Sequence, residues 1–144
     1  MNTLVLPVAG RSSRYGLSRP KWLLTMPNGQ LMFEYSISKL DFQNFNKIIL
    51  VCLEEHLNFI SSDKIKSLLQ EYCKEVEIVI LKNPTSSQSE TVFQALEACK
   101  IEGAFFVKDC DNQFSFSFSG ESEIATLLLS SETGINAANK SYVE

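Results

Sequence analysis

Histidine is nearly missing from this 144-residue chain, so His56 must serve any scheme that needs an imidazole. No Ser-His-Asp or Cys-His relay is assembled, and covalent catalysis is not expected. Cysteine is sparse as well. Cys52, Cys73, Cys99 and Cys110 never form a C-x-x-C pair, so neither a zinc site nor a disulfide framework is indicated, and the thiols read as reduced and buried. No apolar run reaches the roughly 18 residues that cross a bilayer. The start, Met1-Asn2-Thr3, lacks the basic opening of a signal peptide. No membrane partner is expected, and the cytoplasm is the expected address. Positive charge is not in excess: 13 Lys and Arg against 17 Asp and Glu give a formal charge of −4, which argues against nucleic acid as a partner. Any anion bound here must meet a local basic cluster. With only 6 Gly and 4 Pro, the chain is neither fibrous nor a disordered tail.

What is present is enough for one core. The length suits a single domain over residues 1–144, and 44% apolar residues can fill its interior. Four short, nearly continuous apolar runs read as strands: Leu4 to Ala9, Lys47 to Leu53, Val76 to Leu81 and Ala104 to Val107. Continuous hydrophobicity is the pattern of strands covered by helices on both faces. Between them, Leu31 to Leu40, Ile60 to Cys73 and Glu90 to Cys99 carry helical spacing. Strand–helix alternation predicts right-handed crossovers and an α/β fold, a three-layer α/β/α sandwich around a mostly parallel central sheet. The run Phe114-Ser115-Phe116-Ser117-Phe118-Ser119 has the period of an edge strand. Beyond it, Ile124 to Leu129 is apolar and the chain then stops without a capping signal.

The first strand runs directly into Ala9-Gly10-Arg11-Ser12-Ser13-Arg14-Tyr15-Gly16, at the end where parallel sheets place ligands. Small residues let backbone N–H groups approach phosphate oxygens, Ser12 and Ser13 add hydroxyls, and Arg14 adds a planar charged fork. Seven residues after Arg14, Pro20 precedes Lys21, a second cation on a restricted chain. A loop-to-helix turn with solvated Arg and Lys fits the same spacing equally well. G-x-G-x-x-G and G-K-[ST] are both missing, so neither common phosphate motif is present.

Leu6-Pro7-Val8-Ala9-Gly10-Arg11-Ser12-Ser13-Arg14 followed by Pro20-Lys21-Trp22-Leu23-Leu24 resembles the signature of the nucleotidyltransferases that join a nucleoside triphosphate to a phosphorylated metabolite. Sugar-1-phosphate and methylerythritol-phosphate nucleotidyltransferases, with their GT-A-like, Rossmann-like fold, belong to that group. The resemblance implies that Val8, Ala9, Gly10, Arg11, Ser12 and Ser13 bind the nucleotide. It further implies that Arg14 and Lys21 stabilise charge developing at the α-phosphorus. Ser12 stands where that family's loop usually has its second glycine. After the third strand, Asn83 to Val92 opens a helix, and the resemblance carries Gln88, Ser89 and Thr91 over as base and ribose contacts. Ser89 and Thr91 suit helix capping equally. After the fourth strand, Lys108-Asp109-Cys110-Asp111-Asn112 looks like the D-x-D metal site of the same superfamily. Asp111 is the expected direct ligand and Asp109 the ligand through water, for Mg2+ or Mn2+.

Trp22 reads as a hydrophobic anchor beside Lys21, and His56 as a surface or helix-start residue. The expected reaction is Mg-dependent transfer of NMP from an NTP to a small phosphorylated acceptor, such as a sugar 1-phosphate in nucleotide-sugar and polysaccharide biosynthesis, with release of pyrophosphate. Two alternatives stand beside it: a nucleotide-sugar-dependent GT-A glycosyltransferase, and a non-catalytic nucleotide-binding fragment. The family's distal, acceptor-binding part is expected to be missing, and apolar surface left by it would favour a homo-oligomer.

Overall fold

Leu4, Val5 and Leu6 are all wholly buried, although consecutive side chains on a strand point to opposite faces, so both faces of this strand must be covered. The computed structural model describes residues 2–11 and 19–115. In it β1 (Asn2–Pro7), α1 (Met32–Ile37), β2 (Phe45–Leu53), α2 (Ser62–Leu69), β3 (Glu75–Leu81), α3 (Gln88–Ala98) and β4 (Phe105–Val107) follow one another. The strands form one four-stranded sheet in the order β3-β2-β1-β4. Every pairing is parallel.

Strand alternation divides the core into two layers. Leu4, Leu6, Ile48 and Leu50 pack with Phe33 and Ile37 of α1 and with Ile65 and Leu69 of α2. Val5, Ile49 and Val51 pack instead against Val92 and Ala95 of α3. Helices thus cover both faces, which is the expected three-layer sandwich. The expectation that every strand is enclosed holds for β1 and β2 and fails at the margins. β3 and β4 are the two outer strands of the described sheet, and Ile80, Phe105 and Val107 remain substantially exposed. Among the described residues, no helix is long and apolar enough to cross a membrane.

Local hydrogen bonding resets the helix ends. α1 stops at Ile37 because the hydroxyls of Ser36 and Ser38 bond the carbonyls of Phe33 and Tyr35, each at 2.8 Å, and the N–H of Leu40 closes a tight turn on Ile37. α2 begins after Ser61, whose Oγ accepts from the Lys64 N–H at 3.2 Å. It ends early, at Leu69, where the N–H groups of both Tyr72 and Cys73 fold back onto one carbonyl. α3 starts two residues before the periodicity suggests, because Ser87 caps it by accepting from the Glu90 N–H at 3.2 Å. Phe114 and Ser115 are not in a strand. The rest of that serine-phenylalanine run, and the apolar stretch from Ile124 to Leu129, lie outside the described residues.

Candidate functional site

The chain lays β2 and then β3 on one side of β1 but places β4 on the other, so the connection reverses direction at the β1/β4 boundary. Ligands of open parallel sheets sit in the crevice beyond the carboxyl ends of the strands at such a reversal. A cleft of about 590 Å³ opens there. Its walls come from the segment after β1, the Lys21–Leu23 turn, the start of α3 and the loop after β4.

The wall after β1 begins as an extension of the ladder, since the Val8 N–H bonds the Val51 carbonyl at 2.9 Å. Val8 and Ala9 are buried, and the chain surfaces at Gly10. Among the described residues, no atom beyond its chain neighbours lies within 4 Å of where a Cβ on Gly10 would stand, so they leave the space above it open. Arg11 lines the same cleft. Ser12, Ser13 and Arg14 lie outside the described residues.

Lys21 opens a 3₁₀ turn behind the buried Pro20, with the Leu23 N–H bonded to the Pro20 carbonyl at 3.0 Å. The next residue fixes that turn to the core. Trp22 is 4% exposed and sits edge-on to Phe33 with ring centroids 5.5 Å apart. Its indole N–H donates to His56 Nδ1 at 3.1 Å. His56 is therefore not a surface histidine: it lies in the first turn of the short 3₁₀ helix Glu54–Asn58 after β2, as a helix-start residue, but only 3% of it is exposed. The indole of Trp22 draws it inward as an acceptor, and the Leu53 N–H also donates to Nδ1, at 3.3 Å. A nitrogen that accepts twice carries no proton, so the neutral ring keeps its hydrogen on Nε2.

Burial holds the His56 pKa below the ordinary imidazole value, with the nearby Glu55 carboxylate opposing it. As pH falls through about 6.5, the unfolded chain takes up a proton that the folded chain resists, so stability present above that pH is lost toward the lower folded value. Urea midpoints measured from pH 7.5 to 5, followed by the fluorescence of Trp22, the single tryptophan, should fall with pH. His56→Gln should flatten that dependence; an undiminished slope in this variant would remove His56 as its source.

Across the cleft, the Lys108 N–H extends the β4 ladder to the Val5 carbonyl at 3.0 Å, and the chain then turns through two exposed acids. Lys21 Nζ lies 3.1 Å from Asp111 Oδ2. Gln88 Nε2 donates to Asp109 Oδ1. Residues 90 positions apart are thus joined across the mouth of the site. Cys110, between the two acids, has its thiol pushed up to about 12 by burial, and burial raises Cys52 and Cys99 to about 11, so none of these three is a ready nucleophile. Among the described residues, no group of three or more His, Cys, Asp or Glu is arranged to hold a metal. The acidic pair is what this loop offers.

The α3 end contributes amide and hydroxyl groups. Gln88 and Thr91 line the cleft, whereas Ser89 is exposed and does not. The Thr91 hydroxyl is shared with Thr85 Oγ1 at 2.5 Å and reaches the Ser87 carbonyl at 3.2 Å. Thr85 and Ser87 also line the cleft and escaped the sequence reading. A signal existed for Ser87: it stands three residues before Glu90, the spacing of a capping box, although Glu90 reaches one residue past the cap, accepting from the Ser86 N–H at 2.7 Å. Lys108 was also passed over. A lysine at a strand end reads as solvated, yet this one is 1% exposed, with burial pulling its pKa down against the upward pull of Cys110, Asp109 and Asp111.

Residues 4–115 match the family described as the MobA-like NTP transferase domain. No curated protein matches the sequence. Among solved structures, the chain is similar to a nucleoside-diphosphate-sugar pyrophosphorylase from Vibrio cholerae RC9, at 25% identity and a TM-score of 0.62, covering 79% of this chain and 50% of that one. A nucleotidyl transferase from Methanothermobacter thermautotrophicus, at 19% identity and a TM-score of 0.52, covers 77% and 50%. A UTP-bound UGPase from Acinetobacter baumannii, at 20% identity and a TM-score of 0.52, covers 74% and 44%. The chain therefore spans about half the length of these structures, and the last two likenesses speak for the fold alone.

Proposed function

Because the chain belongs to the MobA-like NTP transferase domain family, we propose that its cleft transfers a nucleoside monophosphate from an NTP to a small phosphorylated acceptor. One observation carries this reading: Lys21 and Asp111, brought together at 3.1 Å from opposite ends of the described chain, put a cation and a hard anion at one rim. A phosphate oxygen of the acceptor forms a bond to the α-phosphorus while the bond from that phosphorus to the α,β-bridging oxygen breaks, and pyrophosphate departs with the electron pair. The attacking phosphate is already ionised, so the step needs positioning and charge stabilisation more than a protein base. That suits a cleft whose nearest imidazole, His56, is buried and engaged through Nδ1.

Each wall has a part. The open space over Gly10 admits phosphate oxygens to the backbone, with Ser12, Ser13 and Arg14 assigned to the same loop by family resemblance. Lys21 balances charge on the α-phosphoryl group, and Gln88 and Thr91 face the nucleoside. Asp109 and Asp111 are hard oxygen donors on one short loop, and Mg2+ or Mn2+ commonly takes one or two carboxylates together with substrate phosphates and waters, so the pair fits such an ion. When bound, the ion would neutralise phosphate charge. A sugar 1-phosphate is the proposed acceptor, supported by the likeness to the Vibrio cholerae nucleoside-diphosphate-sugar pyrophosphorylase, and a uridine nucleotide is a natural first donor to try, given the UTP bound in the Acinetobacter baumannii structure.

Calorimetric titration with the four NTPs and Mg2+, followed by a pyrophosphate-release assay with sugar 1-phosphates and small phosphorylated alcohols, tests the proposal. Acceptor-dependent release is expected. Binding of NTP without release for any acceptor would leave a nucleotide-binding module and overturn transfer.

A further inference from the structure

We infer that Lys108 is the positioning residue of the acidic loop, fastening it from beneath so that Asp109 and Asp111 are held at the cleft. Lysine is almost never fully buried unless its charge is paired. Here the ammonium donates to the Asp109 carbonyl at 2.6 Å, the Asn112 carbonyl at 2.8 Å and Asn112 Oδ1 at 2.5 Å. Three donors thus meet three acceptors, all carbonyl oxygens and none of them a carboxylate. Phe114 closes the far side, its ring centroid 4.6 Å from Nζ.

The consequence is geometric. Drawing the carbonyls of Asp109 and Asn112 onto one cation curls the intervening chain, with the two acids exposed and Cys110 packed against the main core. The root of Lys108 is tied in turn to β1 through the Val5 carbonyl, at 3.0 Å. Lys108 therefore sets the acidic loop relative to the strand that leads into Gly10. Its purpose rests on the nucleotidyl-transfer reading, while the anchoring itself is measurable without any nucleotide.

The test uses the full chain with two readouts: alkylation of Cys110 by iodoacetamide under native conditions, referenced by mass spectrometry to Cys99, half-buried like Cys110 but remote from the loop, and Mn2+ binding followed by electron paramagnetic resonance. Asn112→Ala removes one acceptor. It should speed Cys110 alkylation by about tenfold or more and weaken Mn2+ binding about 10- to 100-fold, the usual range for losing a group that orients a metal ligand. Asn112→Asp keeps an oxygen before the ammonium and should stay near the parental values. Lys108→Met should exceed Asn112→Ala in both readouts, and if it does not fold, Asn112→Ala decides alone. Unchanged Cys110 protection in Asn112→Ala overturns the anchor. Loosened protection with parental Mn2+ affinity overturns the positioning role. Should the parental protein bind no Mn2+ while Asn112→Ala uncovers Cys110, the anchor stands and the metal reading fails.

Discussion

Replacing Lys21 with alanine should lower kcat/KM for nucleotidyl transfer by about 10²–10³, the cost of losing one preorganised charge-stabilising group in an active site. The magnitude follows from how firmly the cation is delivered. Pro20 and Trp22 are buried on either side of it, and Trp22 is held by both Phe33 and His56, so the backbone from which the ammonium reaches the cleft is set before substrate arrives. Stability should hardly change, because the bond to Asp111 joins side chains 30% and 44% exposed, and such pairs contribute about 0–1 kcal/mol. Thermal melting and pyrophosphate release measured on one preparation separate these effects. The same variant should bind Mn2+ alone more tightly, since Lys21 no longer competes for the Asp111 carboxylate. Turnover at the parental rate would remove Lys21 from the transition state.

How far these residues could be read in advance depends on how local their determinants are. β1 and β2 were legible because a strand covered on both faces is apolar at successive positions through its middle, as Leu4-Val5-Leu6 and Ile48 to Leu53 are. The apolar stretches of β3 and β4 look similar yet stand at the margins, since strand order is fixed by crossover packing that no run of Val and Ile encodes. Lys21, Asp109 and Asp111 were visible as charged residues at strand or turn ends, where carboxyl edges of parallel sheets present side chains. His56 and Lys108 were not. Whether a polar side chain is solvated or buried depends on partners distant in sequence, and the indole that engages His56 lies 34 residues away. For Lys108 the partners are close, Asp109 and Asn112, but they are backbone and amide oxygens that any segment possesses, so sequence alone gives no reason to expect a turn wound around the ammonium.

The two acids should differ in kind, and the difference can be measured. Asp111→Asn should reduce transfer by about 10²–10³ and raise the Mg2+ concentration needed for half-maximal rate, because an amide withdraws the negative charge that would face both the ion and Lys21. Asp109→Asn should cost about 10- to 100-fold, the range for a group acting through an outer contact. The structure gives a reason for that order. Asp109 Oδ1 is already engaged by the Gln88 amide, a neutral donor that an asparagine oxygen can still satisfy, so much of its local bonding survives. Asp111 has a charged partner whose attraction is lost with the carboxylate, leaving Lys21 without that anion across the cleft. Rates measured against Mg2+ concentration for both variants, with melting curves to establish folding, provide the comparison. If Asp109→Asn proved the more damaging, Asp109 would be the direct ligand and the assignment of the two carboxylates would have to be exchanged.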